Sequence, residues 1–299
     1  MVTETAGPTR AGFVALAGRP NVGKSTLVNG LVGRKIAIVS DKPQTTRRAI
    51  RGIATAADSQ LVLVDLPGVQ RPRDALTERM QRRVERELAD SDAALMVING
   101  EEGVGPGDRF IAQTLRGAGV PVVLAVNKVD RLNRARTVKV LSDAAELDVG
   151  DDIFPVSART GAGVDALRTH LARLMPEGPY LFGPEEQSDQ TLDVMLAELI
   201  REQVLRRTFQ EVPHSVEVKV DEIERRGDVT VIRALVWVET ESQKGILIGA
   251  GGRMIKSVGT AARKEVEREL GARVHLELSV RVRRGWRGDE SLLDRLGIE

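Results

Sequence analysis

The chain has 299 residues, 41% of them hydrophobic and 29% charged, with 44 Lys/Arg against 43 Asp/Glu. These are the proportions of a globular protein long enough for two domains, and they exclude global disorder. The absence of cysteine rules out a disulfide framework and a thiolate metal site and fits a reducing cytosol; no apolar run reaches the about 18–20 residues of a membrane helix, and the polar opening MVTETAGPTRAG lacks a secretory pattern.

Apolar runs predict strands at Phe13–Ala17, Leu61–Val64, Ala93–Ile98, Val122–Val126 and Ile153–Val156. They are rich in Val, Ile, Leu and Ala with little polar alternation, as expected of strands buried on both faces. Helical patterns at Lys24–Leu31 and Asp74–Leu88 fall between them, and one at Val164–Leu174 follows the last. This rhythm predicts an α/β domain, a mostly parallel doubly wound sheet covered by helices, over residues 1–176. Residues 175–184 contain three prolines and two glycines, a composition that suits neither helix nor central strand, so 177–189 reads as a linker. A helix over Thr191–Arg207 follows, then a hairpin of Ser215–Ile223 and Val229–Val238 around the polar turn Glu224–Asp228. A short helix, a glycine cluster, a helix over Met254–Leu270 and a strand over Val274–Val282 complete an α-β-β-α-α-β order, an α+β domain over 190–299. Charge is concentrated here. Lys244–Arg287 carries eleven Lys/Arg against four Asp/Glu, although Leu181–Glu299 as a whole carries nineteen against twenty-two. A solvated helix face is the ordinary reading of such a run, and a polyanion partner needs support from motifs.

The run Gly18, Arg19, Pro20, Asn21, Val22, Gly23, Lys24, Ser25, followed by Thr26, satisfies the P-loop pattern between a strand and a helix. Its glycines let successive N–H groups face phosphate oxygens, and the helix N-terminus adds its positive dipole end. Lys24 is placed to reach the β- and γ-phosphates, and the Ser25 hydroxyl to ligate Mg2+. Three further motifs follow strands: Asp65-Leu66-Pro67-Gly68, Asn127-Lys128-Val129-Asp130 and Ser157-Ala158-Arg159. Strand C-terminal ends are where a doubly wound sheet binds ligands. Asp65 suits a role in holding Mg2+, and the Gly68 N–H suits sensing of the γ-phosphate. Guanine presents N1–H and its 2-amino group side by side, and the two oxygens of Asp130 can accept both; adenine has no such pair. Asn127 would bond the base edge, the Lys128 stem would cover the ring, and the Ala158 N–H would meet O6. Together the motifs predict a GTP- and GDP-binding hydrolase. The polar stretch Ser40–Arg48 suits a switch loop whose threonine closes over Mg2+, with Thr46 favoured and Thr45 the alternative, against a plain exposed loop.

At these residues the sequence resembles the Era family, bacterial ribosome-assembly GTPases. GRPNVGKS, PQTTR, DLPG, NKVD and SAR match its five nucleotide motifs, and the likeness runs on to HLELSVRVRRGWRGDE, covering nearly the whole chain. The resemblance implies a G domain followed by a type II KH domain. It implies binding to the 3′ end of 16S ribosomal RNA during 30S maturation. It further implies a monomer in the cytoplasm with the ribosome, with loose peripheral contact to the inner membrane face left open. The KH loop would be Gly249, Ala250, Gly251 and Gly252, which grips the nucleic-acid backbone where glycine permits close approach. Its centre lacks a basic residue, so Arg253 and Lys256 on the next helix, with Lys244 before it, are the candidate charges; a plain helix-helix turn is the alternative. In the tail, Trp286 stands among Arg283, Arg284 and Arg287 as either a base-stacking ring or a core residue.

Val69 stands where many GTPases place a water-orienting glutamine, so Gln70 or another group must assist hydrolysis, and slow turnover is expected. In relatives with asparagine at the P-loop position of Asn21, a K+ ion can lie beside the phosphates. A turn residue is the competing reading of Asn21. The expected catalytic group is Lys24, Thr46, Gly68 and Asn21, with Ser25, Thr46 and Asp65 around Mg2+.

Overall fold

The computed structural model describes residues 9–42, 45–68, 74–209, 212–296 and 298. Val69 and Gln70 lie outside them. Contacts divide the chain into two units: the second gathers Ile38–Thr45, Asp74–Leu76 and everything from Gln190 onward, and the first holds the rest.

The first unit is built from β1 (Arg10–Ala17), α1 (Lys24–Val32), β2 (Ile50–Thr55), β3 (Ser59–Asp65), α2 (Ala75–Ala89), β4 (Ala93–Asn99), α3 (Pro106–Arg116), β5 (Val122–Asn127), α4 (Arg134–Ala145), β6 (Ile153–Pro155) and α5 (Val164–Leu174). The sheet order is β2-β3-β1-β4-β5-β6. All pairs are parallel except β2 with β3. Successive residues of β1 serve opposite faces. Val14 and Leu16 pack with Leu27 and Leu31 of α1 and Leu167 and Leu171 of α5. Ala15 and Ala17 pack with Val84 and Leu88 of α2 and Ile111 and Leu115 of α3. Burial on both faces is why these strands read as continuous apolar runs.

Sequence periodicity does not reveal β2, whose IRGIAT run is short and mixed. The starts of α3 and α4 are local signals. Pro106 occupies the first turn of α3, where the Asp108 carboxylate accepts the Gly105 N–H at 2.9 Å. The Asn133 side chain accepts the Arg136 N–H at 2.9 Å to open α4.

The proline-rich stretch is not a free tether. The N–H groups of Leu181 and Phe182 donate to Gln60 Oε1 at 2.8 and 2.9 Å, and Gln60 Nε2 returns a bond to the Phe182 carbonyl at 3.0 Å. The Ile53 N–H donates to the Gln187 carbonyl at 2.8 Å, and Gly52 and Ser188 form an antiparallel bridge. Backbone polar groups of β2 thereby find partners in the segment expected to be a linker.

The second unit contains α6 (Leu192–Arg207), α7 (Val212–Ser215), β7 (Glu217–Arg226), β8 (Val229–Val238), α8 (Glu241–Ile248), α9 (Arg253–Leu270), β9 (Arg273–Val282) and α10 (Glu290–Arg295). Strand β8 is central, antiparallel to β7 and parallel to β9. Ile232, Ala234, Val236 and Val238, at alternate positions of β8, meet Leu196, Ile200 and Val204 of α6, Leu247 of α8, and Val258, Ala262 and Val266 of α9 in one core. Helix α6 is buried nearly all round, charged residues included. Burial opposes the Arg201 charge, but Glu198, Glu217 and Glu202 outweigh it and raise its pKa above the ordinary value; the Glu198 carboxylate lies 2.6 Å away. Arg201 also donates to the Thr45 carbonyl, and Glu202 Oε1 accepts the Val39 N–H at 3.0 Å, which is why Ile38–Thr45 groups with this unit. The short helices α7 and α10 have no counterpart in the sequence prediction.

Candidate nucleotide and nucleic-acid sites

The P-loop joins β1 to α1, and Gly23, the cap of α1, offers no side chain to its first N–H groups, leaving them to a ligand. Lys24 Nζ folds back to donate to the carbonyls of Gly18 and Arg19 at 3.1 and 3.2 Å. Burial lowers its pKa to about 8 against an upward pull from the Asp65 carboxylate. The Ser25 hydroxyl donates to Asp65 Oδ2 at 2.7 Å, and Thr46 Oγ1 lies 3.1 Å from both Ser25 Oγ and Asp65 Oδ2. Thr46, rather than Thr45, is the threonine brought to this point; the Thr45 hydroxyl donates to the Lys42 carbonyl at 2.6 Å. Three hard oxygens in one cluster suit Mg2+. Leu66 and Pro67 are buried, and Gly68 lies against the P-loop so closely that an added Cβ would sit 2.8 Å from Pro20 Cγ.

Arg19 belongs to the P-loop, but its side chain braces the neighbouring loop. Its guanidinium pairs with Glu102 at 2.8 Å and with the buried Asp108 at 2.9 Å. The side chain of Arg19 thus ties the P-loop to Glu102 and Asp108. Asn21 adopts φ 63, a left-handed conformation that asparagine tolerates better than most residues. The turn reading of Asn21 fits this conformation, and the K+ reading stays beside it.

On the base side, Asn127 is buried and ties three loops together. Its amide donates to the Val22 carbonyl at 2.9 Å, and its oxygen accepts the N–H groups of Lys128 at 2.8 Å and Ala158 at 2.9 Å. These bonds fix Asn127 and the Ala158 N–H at the edge of the site where the sequence places the base. Lys128 Nζ donates to the Asn21 carbonyl at 2.9 Å. Asp130 accepts the Ser157 hydroxyl at 2.5 Å on Oδ1, and on Oδ2 two guanidinium N–H groups of Arg159, Nε at 3.1 Å and Nη2 at 2.6 Å. The Ser157 bond, followed by Arg159, lowers the pKa of this carboxyl, so it is ionised at neutral pH.

In the second unit, Gly249, Gly251 and Gly252 all have positive φ between α8 and α9. An added Cβ on Gly251 would meet nothing within 4 Å. Arg253 Nε donates to the Ala250 carbonyl at 3.2 Å, and Lys244, one turn before the loop, lies 3.9 Å from Glu241. Lys256 lines a groove of about 330 Å³ between α9 and β9 with Ile255, Gly259, Thr260, Arg263, His275, Leu276 and Leu278. Apart from Lys256, sequence reading missed these positions; the alternation of Leu276 and Leu278 on β9 was the available signal. The tail divides. Arg283 and Arg284 are exposed. Trp286 has no exposed surface and donates its indole N–H to the Ser215 carbonyl at 2.9 Å, while Arg287 pairs with Asp74 at 2.6 Å. Trp286 is therefore corrected from an RNA contact to a packing residue, because its ring is fully buried.

The family model of the 50S ribosome-binding GTPases matches residues 13–128, and that of the KH domain matches 211–287. The chain is 43% identical to the GTPase Era of Lactobacillus helveticus over 291 residues, covering 97% of this chain and 96% of that protein. It is 45% identical to the GTPase Era of Mycolicibacterium paratuberculosis over 296 residues, covering 97% and 99%. The chain belongs to the Era family. Like other Era proteins it is a GTPase with a C-terminal KH domain. An Era variant from Aquifex aeolicus bound to GDP and AlF4− has the same fold, with TM-score 0.94 and 33% identity over 97% of this chain and 99% of that one. An Era complex with MgGDPNP and nucleotides 1506–1542 of 16S ribosomal RNA matches with TM-score 0.93 and 35% identity, again over 97% and 99%.

Proposed function

We propose that this GTPase binds Mg2+ and GTP at the P-loop site, binds the 3′ end of 16S ribosomal RNA through its KH domain, and assists maturation of the 30S subunit. The observation that carries this reading is the likeness, over 97% of the chain, to the Era complex with MgGDPNP and 16S RNA nucleotides. In this reading Lys24 and the α1 N-terminus meet the phosphates, Gly68 senses the γ-phosphate, and Asp130 takes the two donors of guanine. Ser25, Thr46 and Asp65 hold Mg2+, which supplies positive charge against the phosphate oxygens when bound. K+ beside Asn21 is a further element, tested below. The KH loop Gly249–Gly252, with Arg253, Lys256 and Lys244, tracks the RNA backbone, and the apolar floor of Ile255, Leu276 and Leu278 receives unstacked bases.

The protein works in this reading as a cytoplasmic monomer with the small subunit. None of the described helices is long and apolar enough to cross a membrane, and flotation with anionic vesicles would test a peripheral association. The decisive experiment is binding of a labelled 16S 3′-end oligonucleotide and a scrambled control, with GDPNP or GDP present. Preference for the ribosomal sequence supports the reading; equal binding of both oligonucleotides refutes it.

A further inference from the structure

An ionised carboxylate offers about four acceptor positions, two on each oxygen. Asp130 already uses three of them, one for Ser157 on Oδ1 and two for Arg159 on Oδ2. Guanine brings two more donors, N1–H and one N–H of the 2-amino group. Five donors exceed four positions, so one internal donor must leave when the base arrives. Ser157 is buried with 0% exposure, and its hydroxyl oxygen also accepts the Thr160 N–H at 3.2 Å. The Arg159 side chain is 67% exposed and swings away at little cost. The chemistry of the exchange is like for like: N1, C2 and the 2-amino nitrogen of guanine form part of a guanidine unit, the same group that ends an arginine side chain.

We propose that Arg159 is an intramolecular competitor for the guanine base. Its guanidinium holds Asp130 with the donor pair that the base must supply, which weakens guanine-nucleotide binding and speeds release as the arginine re-engages behind the departing base. The inference rests on the reading that Asp130 takes the base. It makes a distinction that a simple binding residue does not. Hypoxanthine keeps N1–H but has no 2-amino group. One donor added to three fills four positions, so an inosine nucleotide binds without displacing Arg159.

The test compares GDP and IDP affinities and release rates in the full-length protein, using fluorescent nucleotide analogues. A solvent-exposed ion pair of this kind changes an equilibrium by roughly two- to fivefold. Arg159→Ala should therefore tighten GDP binding and slow GDP release by roughly that factor while leaving IDP unchanged. Arg159→Lys, with one point-like ammonium in place of a planar fork, should give a smaller effect. Raising the salt concentration should narrow the difference between wild type and Arg159→Ala, because screening weakens the competing pair. In an Asp130→Asn background assayed with xanthosine diphosphate, Arg159→Ala should change nothing, since the carboxylate is gone. GDP binding left unchanged or weakened by Arg159→Ala overturns the proposal, as does an equal gain for GDP and IDP. If Asp130→Asn fails to turn preference toward xanthosine nucleotides, the base reading itself falls. If that shift occurs while Arg159→Ala leaves GDP unaffected, only the competitor falls.

Discussion

Trp286 separates a core residue from an RNA-stacking residue by a measurement that the two roles answer oppositely. Its ring has no exposed surface, and its Nε1 donates to the Ser215 carbonyl at 2.9 Å. Trp286→Phe removes that bond, about 0.5–1.5 kcal/mol, and leaves a partly filled space, about 1–2 kcal/mol more. A total of roughly 1.5–3.5 kcal/mol is a large share of the roughly 5–15 kcal/mol that stabilises a domain. Because the chain has two units, one melting midpoint is a poor measure. Hydrogen exchange of the amides in β7, β8 and β9 reports the second unit directly, and at about 1.36 kcal/mol per tenfold it should quicken by roughly 10- to 400-fold. RNA affinity of the folded protein, measured well below the unfolding range, should stay within about twofold of wild type, below the about 1–3 kcal/mol seen for loss of a stacking residue. Native exchange protection combined with lost RNA binding would refute the reasoning and return the ring to the RNA surface.

Lys24 gives a pH signature. Burial holds its pKa near 8 in the nucleotide-free protein, and phosphate favours the charged form, so GDP affinity should fall as pH rises through about 8, roughly fourfold from about pH 7 to about pH 8.5. A flat profile by titration calorimetry would mean the lysine is charged throughout. Replacing K+ by Na+ at constant ionic strength should slow GTP hydrolysis; equal rates would leave Asn21 as a turn residue only. Gly251 has open space around it but φ +60, a conformation Asp adopts with less strain than most residues, so Gly251→Asp should stay folded at a modest cost in stability yet nearly abolish single-stranded RNA binding; unchanged affinity would reduce the loop to a helix-helix turn. Arg253→Ala with Lys256→Ala should weaken binding to all sequences and flatten the log–log salt dependence by about 0.7 per lost phosphate contact, whereas an unchanged slope would place the charge elsewhere.

The strands of the first unit were legible because burial on both faces writes itself as unbroken apolar runs, as in β3 and β4, buried at every position. The nucleotide motifs were legible because loop chemistry and spacing are local. What sequence concealed was partnership across distance. The pairing of the Arg19 side chain with Asp108 and Glu102 is one such partnership. Asn127, read from its motif as a base contact, also ties together Val22, Lys128 and Ala158, which the motif does not show. Trp286 among arginines reads equally as a stacking ring or a core plug, and only its burial decides. The short strand β2 escaped because its pairing, not its composition, makes it a strand.

The bonds that residues 181–188 make with Gln60, Gly52 and Ile53 carry a consequence for synthesis. During translation the chain emerges from its N-terminus, so β2 forms the rim of the sheet before its covering segment has been made. Until residues 181–188 arrive, that rim presents unpaired N–H and C=O groups, a template on which a second nascent chain can pair. A chain stopped just after α5 should be prone to self-association in proportion to its concentration. Extending it by the fifteen residues from Met175 to Asp189 should restore a monodisperse species, with no part of the KH domain yet present.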